Sequence, residues 1–206
     1  MVETIAKAGL AVNENTVLRR NRISNTNHSQ PSGKRVCIVT GTHGDELEGQ
    51  YVCYELIRRL SENGHLLKGI VDVYPSMNPL GMDSIKREMP IFDLDMNMIF
   101  PGSETGAVAE HIAAAIMNDI KGADICIDLH ASNIFLREIP QVRISEETAP
   151  MLLPYAKELH NPFRKVYKPQ AIRLSAYNPH GDPDGLSSGA RKHRNDTSQY
   201  SGRRFR

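Results

Sequence analysis

Apolar residues in this 206-residue chain gather either into short unbroken runs or into stripes three and four positions apart. Residues 35–40 (RVCIVT) are a run of the first kind, bounded by turn residues, and 69–74 (GIVDVY) and 124–129 (DICIDL) read as two further strands. Such runs suit strands buried on both faces, as in a parallel sheet. Between them the spacing predicts a helix over 46–63, with Leu47, Tyr51, Tyr54, Ile57 and Leu60 as its apolar stripe and Gly64 as its cap. A second helix is predicted over 104–121, with Val108, Ile112, Ile116 and Ile120 at a strict interval of four. Residues 1–24 read as a short extended region, 25–33 as a loop and 75–102 as a long polar loop without periodicity. A short extended piece at 139–144 and a helix over 146–160 complete the regular part. Strand–helix alternation predicts an α/β fold, with a mixed, mostly parallel sheet and helices on both faces. In such sheets ligands bind beyond the carboxyl ends of the strands. His43 and His130 each follow a strand, so both are expected on that edge.

From about Leu174 the composition changes. Between Ser175 and Arg206 the only large apolar residues besides tyrosine are Leu186 and Phe205. Too little apolar surface is available there to offset the entropy of ordering, which predicts a domain over 1–173 and an irregular, disordered tail over 174–206. Charge is nearly balanced, with 25 Lys+Arg against 24 Asp+Glu. This argues against nucleic acid or an anionic membrane as a partner. No run of about 18 apolar residues is present. Lys7, Asn13, Glu14 and Asn15 interrupt any signal-peptide core, so a cytoplasmic protein is expected. Cys37, Cys53 and Cys126 are scattered through apolar segments and lack disulfide or zinc spacing; they read as core residues.

His43 and Glu46 form an H-x-x-E pair where the first buried strand meets its helix. Three residues at a helix start would bring an imidazole and a carboxylate to one side, where a zinc ion can take both. Catalytic zinc sites commonly use two histidines and one glutamate and leave a position open for water. His130, at the end of another strand, is the natural third ligand. His65, His111, His160, His180 and His193 lack any such spacing and read as surface or core residues.

Five segments then occur in a telling order: Gly41-Thr-His-Gly-Asp-Glu46, Asn78-Pro-Leu-Gly81, Asp95-Met-Asn97, Phe100-Pro-Gly102 and Asp128-Leu-His130. From about Thr16 to Leu159 the chain resembles the succinylglutamate desuccinylase/aspartoacylase family, a branch of the zinc carboxypeptidase-like hydrolases. The resemblance implies a zinc-dependent hydrolase of a small amide, such as an N-acyl amino acid, with one zinc ion on His43, Glu46 and His130. It implies that Asp95 orients the first zinc histidine. Arg87 would polarise the scissile carbonyl and stabilise the oxyanion. Asn97 would bind a carboxylate of a small-molecule substrate.

Two departures from the family stand out. Met98 occupies the place where the family usually has an arginine gripping that carboxylate, and a thioether supplies no charge. Lys86, Arg137 and Arg143 are the candidate substitutes. The family also carries a late glutamate as general base, and no segment here matches it. The loss of pattern after about His160 therefore suggests a chain truncated on its C-terminal side, or read out of frame. A domain lacking that part would expose apolar surface, which a homo-oligomer could cover. Two rival readings stand beside the amide hydrolase: a carboxypeptidase-type peptide hydrolase, and an inactive zinc-binding remnant.

Overall fold

A computed structural model describes residues 1–25, 33–132, 134–136 and 139–159, together with the backbone of 164–167. The main sheet has five strands: β1 (Val2–Gly9), β2 (Asn15–Ser24), β3 (Arg35–Thr40), β4 (Ile70–Tyr74) and β5 (Ile125–Leu129), in the order β1-β2-β4-β3-β5. β3 lies parallel to β4 and β5, while β1 and β2 run antiparallel at the other side. The sheet is thus mixed, with a parallel half that carries these three predicted strands. The N-terminal region holds two paired strands rather than one short extended piece. The 174–206 tail lies outside the described residues.

Alternation along β3 and β4 sorts the core onto two faces. Cys37, Val39 and Tyr74 pack with α3 (Val108–Ile120), whose Ile112, Ile116 and Ile120 are fully buried as the interval of four predicts. Residues 104–107 precede α3 as a turn, and the Glu110 carboxylate accepts the Ala107 N–H at 2.8 Å to close its first turn. Ile38, Val71 and Val73 face the other way, onto α1 (Glu48–Glu62). Helices therefore cover both faces. The stripe of α1 differs from expectation: Cys53, Leu56, Ile57 and Leu60 meet the sheet, whereas Tyr51 and Tyr54 are exposed. Tyrosine tolerates that exposure because its ring carries a polar end.

The polar loop over 75–102 contains the short helix α2 (Pro79–Ser84), which amphipathic spacing cannot announce in six residues. The Asn78 side chain caps it by accepting the Gly81 N–H at 2.9 Å, and Pro79 occupies its first turn. Beyond β5, the parallel pair β6 (Val142–Ser145) and β7 (Arg164–Tyr167) forms a separate two-stranded sheet, with α4 (Ala149–Glu158) between them in sequence. Among the described residues, no helix is long and apolar enough to cross a membrane.

Beneath α3 the sheet buries charge. Arg20 and Arg22 of β2 and Arg35 of β3 converge on Asp72 of β4, whose side chain is fully enclosed. Arg22 donates to both Asp72 oxygens at 2.7 Å, and Arg35 Nε donates to one at 2.7 Å. Arg20 turns instead to Glu3 and Asp119, and the Tyr74 hydroxyl donates to Asp119 at 2.6 Å. Arg35 also donates to the Asp119 and Lys121 carbonyls at the C-terminus of α3, where a cation is favoured. Arg20, Arg22 and Arg35 thus form an internal charged clasp between helix and sheet.

Candidate metal centre

β3 ends at Thr40, and Gly41 follows with φ of +70°, a conformation glycine adopts without strain. At Gly44 the constraint is space, because a Cβ there would overlap the backbone of Gly81 in α2. Its N–H donates to the Lys86 carbonyl at 3.0 Å. The turn carrying His43 is therefore pressed against α2 and tied to the loop that carries Arg87. Glu46 stands in this turn, two residues before α1 begins. A turn closed from Glu46 N–H to the His43 carbonyl at 3.5 Å, rather than the first turn of a helix, brings the H-x-x-E side chains together.

The structure brings all three expected ligands to one point. His43 Nδ1 lies 2.6 Å from Glu46 Oε1, and His130 Nδ1 lies 3.0 Å from Glu46 Oε2. The two rings are tilted by 51° with centroids 5.0 Å apart. One nitrogen from each histidine and one carboxylate oxygen fall within 4.8 Å of one another. Behind the rings, the outer nitrogens are also engaged. His43 Nε2 is 3.2 Å from Asp95 Oδ1, and His130 Nε2 is 2.9 Å from Asp128 Oδ2. Asp95 accepts the Asn97 N–H at 2.9 Å and Arg87 Nη2 at 3.0 Å. Arg87 Nη1 lies 3.6 Å from Glu46. Asn97 is buried, its Nδ2 3.0 Å from His43 Nε2.

Charge in this cluster is coupled. Burial alone would raise the Glu46 carboxyl, but hydrogen bonds from His130, His43 and the Ala131 N–H outweigh it and hold its pKa near 2. Burial likewise opposes a charged His130, yet Asp128 and Glu46 push its pKa up to about 10. For His43, Asp95 and Glu46 overcome the same penalty and raise it above the ordinary histidine range. Asp95, despite burial, is held well below the usual carboxylate range by His43 and the Asn97 N–H.

Two imidazoles and a carboxylate are the donor set that suits zinc. Ligands at about 2.0–2.2 Å from a tetrahedral zinc ion stand roughly 3–4 Å apart, close to the separations here. Each donor comes from a different or sharply turned segment, and Arg87, half exposed, stands at the rim. The sequence nominates His43, Glu46, His130, Asp95, Arg87 and Asn97, and the structure places all six together. From the sequence alone Asp128 has no role, and the Ala131 N–H, which donates to Glu46 at 2.8 Å, goes unseen. The spacing Asp128-x-His130 was the available signal for the former, since residues two apart at a strand end share a face. Of the substitutes named for the missing arginine, Lys86 adjoins Arg87, Arg143 stands on β6, and Arg137 lies outside the described residues.

The family described as the succinylglutamate desuccinylase/aspartoacylase catalytic domain matches residues 32–180, which runs past Leu159, where the resemblance read from the sequence stops. An N-alpha-acetyl-L-2,4-diaminobutyric acid deacetylase from Halomonas elongata is 31% identical over 109 residues, which cover 52% of this chain and 31% of that protein. An aspartoacylase family protein from Mesorhizobium loti aligns with a TM-score of 0.68 at 24% identity, over 80% of this chain and 52% of the other. A metallo-carboxypeptidase from Burkholderia cenocepacia aligns with a TM-score of 0.60 at 15% identity, over 82% of this chain and 48% of the other. At those identities the two structures establish the carboxypeptidase-like fold. The chain spans about half the length of these solved relatives.

Proposed function

Because this chain belongs to the succinylglutamate desuccinylase/aspartoacylase catalytic-domain family, we propose that it holds one zinc ion on His43, Glu46 and His130 and hydrolyses the amide bond of a small N-acyl amino acid. The supporting observation is the arrangement around Glu46: both histidines present Nδ1 to its carboxylate, and both are backed at Nε2 by another carboxylate. That is the pattern expected of ligands oriented for a metal. Zinc bound there would polarise a carbonyl and lower the pKa of a coordinated water to about 7.

The chain's own side chains divide the remaining work. Arg87, held at the rim by Asp95, donates to the carbonyl oxygen of the scissile amide as negative charge develops on it. Asp95 keeps a proton on His43 Nε2. With that nitrogen donating to Asp95, the neighbouring Asn97 amide has no acceptor there and can donate to a substrate carboxylate. Met98, next along the chain and 58% exposed, adds no charge to that grip.

One observation favours a second reading, that of zinc binding without turnover. Among the described residues, every carboxylate touching the two histidines is already engaged by them: Glu46 by both, Asp95 by His43 and Asp128 by His130. A missing general base typically costs about 10²–10⁴ in rate. Elemental analysis of the purified protein beside His130→Ala tests the metal: about one zinc per chain, lost in the variant, is the expected result. Hydrolysis of N-alpha-acetyl-L-2,4-diaminobutyric acid and other N-acetyl amino acids, abolished by Arg87→Ala, is expected for the enzyme. Stoichiometric zinc with no hydrolysis of any N-acyl amino acid selects the second reading.

A further inference from the structure

Resting on the zinc reading above, we propose that Asp128 is a positioning residue that dictates which nitrogen His130 offers to the metal. His130 could ligate through either ring nitrogen, and the two would place the ion on opposite sides of the ring. The structure commits it. Nδ1 faces Glu46 Oε2 at 3.0 Å, while Nε2 points at Asp128 Oδ2 at 2.9 Å. Asp128 accepts the Nε2 proton, which leaves the Nδ1 lone pair for the metal and makes it more basic.

Asp128 is built for this task more rigidly than Asp95 is for His43. It lies within β5, in register with Val39 of β3, and the next residue is pinned where Thr40 Oγ1 donates to the Leu129 carbonyl at 3.0 Å. Its side chain is 1% exposed, against 25% for Asp95, which caps a short turn. The second Asp128 oxygen, also buried, has no hydrogen-bond partner among the described residues. A carboxylate enclosed in this way and engaged through one oxygen directs its hydrogen bonding at the histidine. Three elements therefore meet at His130: the strand sets its position, Asp128 sets its ring, and the Ala131 N–H, next along the chain, holds Glu46 at 2.8 Å.

The test compares the wild-type chain with Asp128→Asn, which keeps the size and one acceptor oxygen but removes the charge. Zinc affinity is measured by competition with a chromophoric chelator, and folding of each metal-free protein by thermal melting. Loss of such an outer partner costs about 10–100-fold in metal affinity, and that loss is expected here with a melting temperature close to wild type. The second readout is proton NMR of the zinc-loaded, histidine-labelled protein, with the ring resonances of His130 assigned by their loss in His130→Ala. A downfield Nε2–H bonded to a carboxylate is expected in the wild type, moving upfield in the variant. Unchanged affinity and an unmoved resonance overturn the role of Asp128 and leave the zinc site standing. A wild-type chain that takes up no zinc sinks the underlying reading, and this proposal with it. Should Asp128→Asn fail to fold, the wild-type spectrum decides: no downfield Nε2–H on His130 refutes the proposal.

Discussion

Replacing Asp72 by asparagine would test whether the charged clasp under α3 holds the sheet together. Asp72 is fully enclosed and accepts three hydrogen bonds of 2.7 Å, two from Arg22 and one from Arg35, with Arg20 at 3.9 Å. Asparagine keeps the shape and one acceptor, but its amide nitrogen would face a guanidinium, donor against donor. Removing one partner from a buried ion pair costs about 3–5 kcal/mol, because the other charge stays buried and uncompensated. Arg22 and Arg35 retain 30% and 17% of their side-chain exposure, so water relieves part of the strain. The loss should therefore sit near the lower end, at about 3 kcal/mol. For a chain of this size that corresponds to a fall in melting temperature of about 6–12 °C, measured by circular dichroism at neutral pH. Zinc affinity at low temperature should not change, because Asp72 pairs with Cys37, about 10 Å short of the end of β3. A shift under about 2 °C would refute the reasoning and mean that the clasp contributes no more than a surface pair. The pH dependence has a definite sign. Burial would raise the Asp72 carboxyl, but Arg22 and Arg35 outweigh it and depress the folded pKa. Its contribution is thus complete above the unfolded value of about 3.9 and is lost as pH falls through the lower folded value. Asp72→Asn should lack that part of the acid transition.

Zinc binding should strengthen as pH rises, since protons on His43, raised above the ordinary histidine range, and on His130, at about 10, compete with the metal; each proton displaced steepens the dependence by about tenfold per pH unit. Isothermal titration in buffers of different ionisation enthalpy would count those protons, and a pH-independent affinity would contradict the coupling. Gly44→Ala should cost about 1–3 kcal/mol and weaken zinc binding together, because the added methyl group meets the Gly81 backbone and displaces the turn holding His43; thermal melting and chelator competition would show both. Met98→Arg should lower KM for carboxylate-bearing N-acyl substrates more than it changes kcat, since it adds charge to binding alone; an unchanged KM would separate position 98 from the substrate.

The parallel half of this fold was legible because β3 and β4 lie between helices on both faces and β5 beside them, so all three are mostly apolar, with Arg35–Thr40 matching to the residue. α3 was legible for a related reason: Ile112, Ile116 and Ile120 share one buried line. β1 escaped because its inward positions include Ala6 and Ala8, too small to mark a face. On α1 the tyrosines drew the stripe one way, whereas the interval Cys53, Leu56, Ile57, Leu60 carries the contact. The clasp at Asp72 was hidden because its partners lie 37 and 50 residues away, and charge alone does not say which face it occupies. At the candidate site, two post-strand histidines and a glutamate pointed to the three side chains that the structure brings together. The helix invoked to bring His43 and Glu46 together proved to be a turn ahead of α1, closed from the Glu46 N–H to the His43 carbonyl.

The placement of β5 has a consequence for how the chain matures. It ends the five-stranded order and has β3 as its sole strand neighbour among the described residues. Like β1 at the other end of this order, it gives up one ladder instead of two on opening, so fraying is favoured at these two strands. β5 also delivers His130, 84 residues after Glu46. A cation bridging the two would close a loop that the unfolded chain must otherwise close for itself, and would slow the edge strand's escape. Amide exchange along Ile125–Leu129 is then a clock for metal occupancy: fast in the apo chain, slow once the ion is seated. On a ribosome, His43 and Glu46 would emerge before β5, the last in sequence of the five described strands, so a bound ion would mark the arrival of that strand.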